Sequence, residues 1–219
     1  MMKRAWLLIL FLPAFTMAQN STNFWEIGGF VGGLNYLGEI NENGDFGTWI
    51  NEMRPEFGIF IKKNLNYRIN FGVEASYGNL FSADGNHSNP ERDYIMNTEI
   101  VQTNVFSELN FKKFGKYFQR NQNSPFVRVG VGALFFTPSL NTNASYPADY
   151  ELYRGSFTTY NVQLAFGWKW RVSYNSFLML DFHWHTTGVS YLEGFNLKEG
   201  TNPADRYYGL RLGYSYGIF

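Results

Sequence analysis

Between Tyr67 and Tyr77 the side chains alternate without a break. Tyr67, Ile69, Phe71, Val73, Ala75 and Tyr77 fall on odd numbers, and Arg68, Asn70, Gly72, Glu74 and Ser76 on even ones. A strand sends successive side chains to opposite faces, whereas a helix would mix the two sets. This stretch therefore reads as a strand with one oily face and one polar face. The same split runs through Tyr160, Val162, Leu164, Phe166, Trp168 and Trp170, opposed by Asn161, Gln163, Ala165, Gly167, Lys169 and Arg171. It returns in Tyr208, Leu210, Leu212, Tyr214, Tyr216 and Ile218, opposed by Gly209, Arg211, Gly213, Ser215 and Gly217.

Five noisier segments follow the same rule: Trp25–Leu34, Met53–Lys62, Thr98–Phe111, Phe126–Phe136 and Phe177–Thr186. That makes eight strands, each long enough for the ~9–11 tilted residues that cross a bilayer. Pro55 lies early in its strand, where a missing backbone donor is tolerated. The connections alternate too. Asn35–Glu52, Asn79–Asn97, Thr137–Ser156 and Thr187–Asp205 are long and polar, while Lys63–Asn66 and Val172–Ser176 are tight. Long connections on one side and short ones on the other are the outer-membrane arrangement. Lys112–Pro125 is the exception, being long on the short side and rich in lysine.

A water-soluble barrel or sandwich would show the same alternation with its faces reversed. The polar face argues for the membrane form. It carries Glu26, Arg54, Glu56, Arg68, Glu74, Glu108, Arg128, Lys169, Arg171, Asp181 and Arg211 among small residues. Eight strands enclose room for side chains but no pore, so paired charges interleaved with small residues suit the lumen. The apolar face places Trp25, Tyr77, Trp168, Trp170 and Trp184 near strand ends, where a membrane interface favours amphipathic rings. Mean hydropathy is −0.28 although 20% of residues are aromatic, as expected when only every second strand residue meets lipid. The expected fold is an all-β, eight-stranded antiparallel transmembrane β-barrel with long extracellular loops and short periplasmic turns.

Residues 1–18 read as a cleaved secretory signal peptide: Lys3 and Arg4, an apolar run from Ala5 to Phe15, then Thr16, Met17 and Ala18. Residues 19–219 form the barrel domain, with the cell outer membrane as the expected location. The chain has no cysteine, so it carries neither a disulfide nor a lipidated cysteine. Its near-neutral charge gives no pull toward nucleic acid.

Few constellations suggest chemistry. Asp181, His183 and His185 share one face of a strand, and residues two apart stand roughly 6.6 Å from each other. Two imidazoles so placed could share a metal with a ligand from a neighbouring strand, or work as an acid–base pair. No Ser, Cys or Glu completes a catalytic set at a recognisable spacing, so a polar lumen network is the simpler reading. No cofactor, metal, catalytic residue or small-molecule substrate is expected. Gly28, Gly29, Gly32 and Gly33 resemble a phosphate loop only in composition, because no helix follows them. In the long basic turn, Lys112, Lys113, Lys116 and Arg120 surround Phe114 and Tyr117. Such a segment either docks to a partner or sets its cations against anionic headgroups.

The stretch Glu26-Ile27-Gly28-Gly29-Phe30-Val31-Gly32-Gly33-Leu34-Asn35-Tyr36-Leu37-Gly38-Glu39-Ile40 resembles the opening of PorG-like outer-membrane barrels of Bacteroidetes-type bacteria. Arg54-Pro55-Glu56-Phe57-Gly58 and Arg128-Val129-Gly130-Val131-Gly132 add to the likeness. The resemblance implies a structural component of a type IX protein secretion system, anchored in outer-membrane lipid and docking a periplasmic ring of PorK- and PorN-like proteins. It implies no enzymatic activity. Two other roles stay open at this point: a barrel enzyme acting on lipid or peptide through the Asp181/His183/His185 face, and a surface adhesin acting through the outer loops.

Overall fold

The computed structural model describes residues 23–37, 46–87, 94–115, 121–142, 150–197 and 204–219. The expected signal peptide lies outside these residues, as do Lys116, Tyr117 and Arg120.

Eight long strands form the barrel: β1 (Phe24–Leu37), β2 (Arg54–Asn64), β3 (Ile69–Ala83), β4 (Tyr94–Asn110), β5 (Asn123–Thr142), β7 (Phe157–Arg171), β8 (Ser176–Thr187) and β10 (Arg206–Ile218). Two short ones, β6 (Tyr150–Leu152) and β9 (Phe195–Leu197), pair with each other in the long loops. The barrel closes in the order β1-β10-β8-β7-β5-β4-β3-β2, antiparallel throughout. The last strand meets the first, with Trp25 opposite Ile218 and Leu37 opposite Arg206, so no long edge is left unpaired.

The expected alternation holds, and the structure decides which face is inside. The outward set stays open, with Ile59 69%, Phe166 61% and Val105 60% exposed, whereas Glu26, Glu108, Arg128 and Arg211 are wholly buried within the lumen. Apolar outside and charged inside is the reverse of a water-soluble barrel, so the strands are built to cross a bilayer. No helix among the described residues is long and apolar enough to do so.

Toward the long-loop end the chemistry inverts. Here Leu34, Tyr36, Leu80, Tyr94, Met96, Ile100, Leu134 and Phe136 point inward and pack with Leu192, Phe195 and Tyr207. The same strands turn Asn97, Glu99, Thr137, Ser139 and Asn141 outward. Beyond the lipid the outside meets water, and the inside closes as a soluble core does. For this reason β3, β4 and β5 run on into Asn79–Asn97 and Thr137–Ser156, which the sequence reading assigned to loops. Leu192 and Phe195 come from the last long loop, so that loop folds down into the barrel mouth. Among the described residues, the first long loop contains a helix, α1 (Phe46–Glu52), tied to the top of β3 by Glu52. This carboxylate accepts from Ser82 Oγ (3.1 Å), Ala83 N (3.0 Å) and His87 Nε2 (3.0 Å).

The other mouth is shut by aromatic rings. Phe24, Phe114 and Phe177 are buried together, and Phe219 joins them 4.8 Å from Phe24. The tight turn before β3 explains a late strand start. Asn66 Oδ1 accepts from Arg68 N and Ile69 N, both at 2.8 Å, so the strand opens at Ile69 instead of Tyr67.

Candidate functional site

Inward parity brings five carboxylates and four cations into the lumen: Glu26, Glu56, Glu74, Glu108 and Asp181 with Lys62, Arg128, Lys169 and Arg211. Glu108 is the hub of the lower layer. Its Oε1 receives Lys169 Nζ (2.5 Å), Lys62 Nζ (3.2 Å) and Asn70 Nδ2 (2.8 Å), and its Oε2 receives Arg128 Nη2 (2.8 Å). Lys62 also lies 3.1 Å from Glu26 Oε2, which accepts from Ser215 Oγ as well. One layer up, Glu74 accepts from Arg128 Nη1 (3.1 Å), Arg211 Nη1 (3.3 Å), Gln163 Nε2 (2.8 Å) and Asn104 Nδ2 (3.2 Å). Arg211 then donates through Nε to Asp181 Oδ1 at 2.8 Å.

Aromatic rings fill the space between these layers. The guanidinium of Arg211 lies 4.5 Å from the ring of Phe30, and that of Arg128 lies 4.5 Å from Phe106. Such rings fit only because glycine stands opposite them. A Cβ on Gly58 would come within 2.2 Å of Phe30, and one on Gly72 within 2.6 Å of Phe106.

Three cations expected in this network lie elsewhere. Arg68 sits exposed in the turn before β3, so strand parity does not govern it. Arg54, at the long-loop end of β2, donates to Asn51 O (3.0 Å) and Met53 O (3.2 Å) and lies 3.9 Å from the ring of Phe81. Arg171 is half-buried at the opposite mouth, donating to Gly115 O and to Tyr174 O and resting on Phe114 and Phe177. Conversely, Lys62 was missed. It shares parity with Glu56 and Phe60 in the same strand, which was the available signal.

The upper lumen holds the two histidines. His183 Nε2 lies 3.6 Å from Glu56 Oε2, and the ring of His185 stacks on Tyr207 at 4.5 Å. Glu56 also accepts from Ser76 Oγ (2.9 Å) and Gln102 Nε2 (3.1 Å). Asp181 turns to Arg211 instead of the imidazoles. Among the described residues no set of three or more His, Cys, Asp or Glu side chains is gathered to hold a metal ion. Both histidines are fully buried beneath the apolar cap.

In the basic turn, Lys112 and Lys113 are exposed, but Phe114 points into the barrel mouth as a plug. Alternation could not reveal this, because Phe114 lies beyond the end of β4.

Residues 3–215 match the family described as "Domain of unknown function (DUF6089)". The chain belongs to the DUF6089 family. No curated protein sequence matches this DUF6089 chain. Among solved structures it is similar to Neisserial surface protein A (NspA), at 11% identity and a TM-score of 0.55, over 89% of this chain and 97% of that one. The N-terminal β-barrel domain of Pseudomonas aeruginosa OprF matches at 16% identity and a TM-score of 0.46, over 90% of this chain and 100% of the other. At 11% identity the likeness to NspA is one of fold alone.

Proposed function

We propose that this DUF6089 protein is a non-enzymatic barrel of the bacterial outer membrane that anchors part of a type IX protein secretion system. The observation that carries this reading is the sealed lumen. Its charges pair across the interior, an apolar cap closes one mouth and four phenylalanines the other. A barrel so filled offers no route for a solute, which leaves the rims and loops as working surfaces. The likeness to PorG-like barrels supports a ring of PorK- and PorN-like proteins as the partner. Lys112 and Lys113, exposed on the short-turn side, support the basic turn with Lys116 and Arg120 as the contact. The enzyme reading fares worse, because His183 and His185 are buried away from lipid and peptide alike.

The test is an affinity pull-down of the chromosomally tagged protein from detergent-solubilised outer membranes, read by mass spectrometry. PorK- and PorN-like proteins should be recovered, and reversing Lys112, Lys113, Lys116 and Arg120 to glutamate should reduce their recovery severalfold. A barrel recovered alone, in normal amounts, would defeat the secretion role and favour an adhesin acting through the outer loops.

A further inference from the structure

The barrel is electrically lopsided. The short-side connections, residues 63–68, 111–125 and 171–176, contain Lys63, Arg68, Lys112, Lys113, Lys116, Arg120 and Arg171 and no aspartate or glutamate. The long-side connections, residues 38–53, 84–93, 143–156 and 188–205, contain twelve carboxylates and three cations. Two of the short-side cations are held on tryptophan rings. Lys63 lies opposite Trp25 in the β1–β2 pairing, with Nζ 5.4 Å from the indole centroid. Lys112 places Nζ 5.8 Å from the ring of Trp168, while donating to Asn123 Oδ1 at 3.2 Å.

These two positions sit at a definite depth. Trp25 and Trp168 are 45% and 40% exposed on the outward apolar face, at the strand ends where hydrocarbon gives way to headgroups. Lys63 shares outward parity with Ile59 and Ile61, so its stem follows the lipid face and its ammonium emerges at the headgroup plane. A lipid phosphate reaches Lys63 and Lys112 from the side.

We propose that this rim selectively holds anionic phospholipid headgroups in the adjoining leaflet, at Lys63 on Trp25 and at Lys112 on Trp168. The inference rests on the chain spanning a bilayer but not on the secretion role, although it shares Lys112 with the docking surface. Each phosphate meets an ammonium already aimed by its indole. The absence of carboxylates from the short-side connections removes local competition for either cation. The acidic long-side loops repel such lipids, so selectivity belongs to one leaflet.

The experiment uses the chain folded into nanodiscs of equal phosphatidylcholine and phosphatidylglycerol, with retained lipid counted by native mass spectrometry. Phosphatidylglycerol should be retained about fivefold over phosphatidylcholine per cation at low salt, and the preference should shrink at high salt. Lys63→Gln with Lys112→Gln should bring retention of the two lipids close to parity. Arg154→Gln with Arg206→Gln, on the long-loop side, should leave the preference intact. A heat-dependent gel shift confirms that each variant is folded, so lost selectivity is not lost structure; a wild-type chain lacking that shift would overturn the barrel reading itself. Equal retention of the two lipids by the wild type would overturn the proposal, as would an unchanged preference in the lysine double variant. If the lysine variant kept its lipid preference but lost an acidic protein from the pull-down, the rim would belong to a protein partner and the lipid assignment would fall.

Discussion

Glu108 answers to three cations at once, Lys62, Lys169 and Arg128, and none of the four side chains reaches solvent. Taking charges out of water is costly, and the cost is offset here by mutual attraction and by the amide donor of Asn70. Such a cluster tolerates loss of one member badly, because the remaining charges stay buried and uncompensated. Glu108→Gln keeps the shape but removes the charge that balances Lys169, and it should destabilise the folded barrel by about 3–5 kcal/mol. Urea titration in lipid vesicles measures this, and an unchanged midpoint would show that the hub is not structural. The effect follows from geometry that alternation alone could not supply. Within a strand, parity puts Glu108 and Arg128 inside, but it has no meaning for Arg68 in the turn before β3, and at Arg54 and Arg171, the first and last residues of their strands, it points to a barrel mouth instead of the lumen.

At the scale of elements, the described part of the last long loop is held down by a small set of buried hydrogen bonds. It is tied to the top of β1 through Tyr36, whose hydroxyl lies 2.6 Å from Glu193 Oε1 and 2.8 Å from Asp205 Oδ1. Asp205 Oδ2 in turn accepts from Leu192 N at 2.7 Å, and Thr98 Oγ1 donates to Leu192 O at 2.7 Å. Burial, and then the two carboxylates, push the phenol well above its usual pKa. A raised folded-state value means that the neutral phenol is favoured by folding. Its contribution is therefore complete below the unfolded value of about 10 and is lost as pH rises beyond it. Limited proteolysis across pH should show the 188–205 loop becoming susceptible above about pH 10. Tyr36→Phe should abolish this alkaline step and lower neutral-pH protection by about 1–2 kcal/mol. Protection that stays flat in the wild type through strongly alkaline pH would rule out Tyr36 as the tie.

For the whole molecule, the paired lumen and its two closures make a strong expectation about transport. In planar bilayers the folded protein should give no stable ion-conductance steps, and removing the cap loop should not open a pore, because the charge layers lie beneath it. Regular single-channel steps from the intact protein would refute the sealed-lumen reading and the anchoring role built on it.

The sequence by itself determined the eight strands, their order of long and short connections, and the sorting of side chains into two faces. All three are local properties, since a pleated strand alternates whatever surrounds it. It did not determine where along each strand the lipid ends. Leu80, Ile100 and Leu134 break the polar-inside rule because they lie above the bilayer, and that height appears only once the strands are aligned. Nor did it determine which charges meet. Arg211 and Glu74 are 137 residues apart in sequence, and Lys62 and Glu108 are 46 apart. Closure of the cylinder, with its register, brings these groups within hydrogen-bonding distance, and only the tertiary structure holds that information.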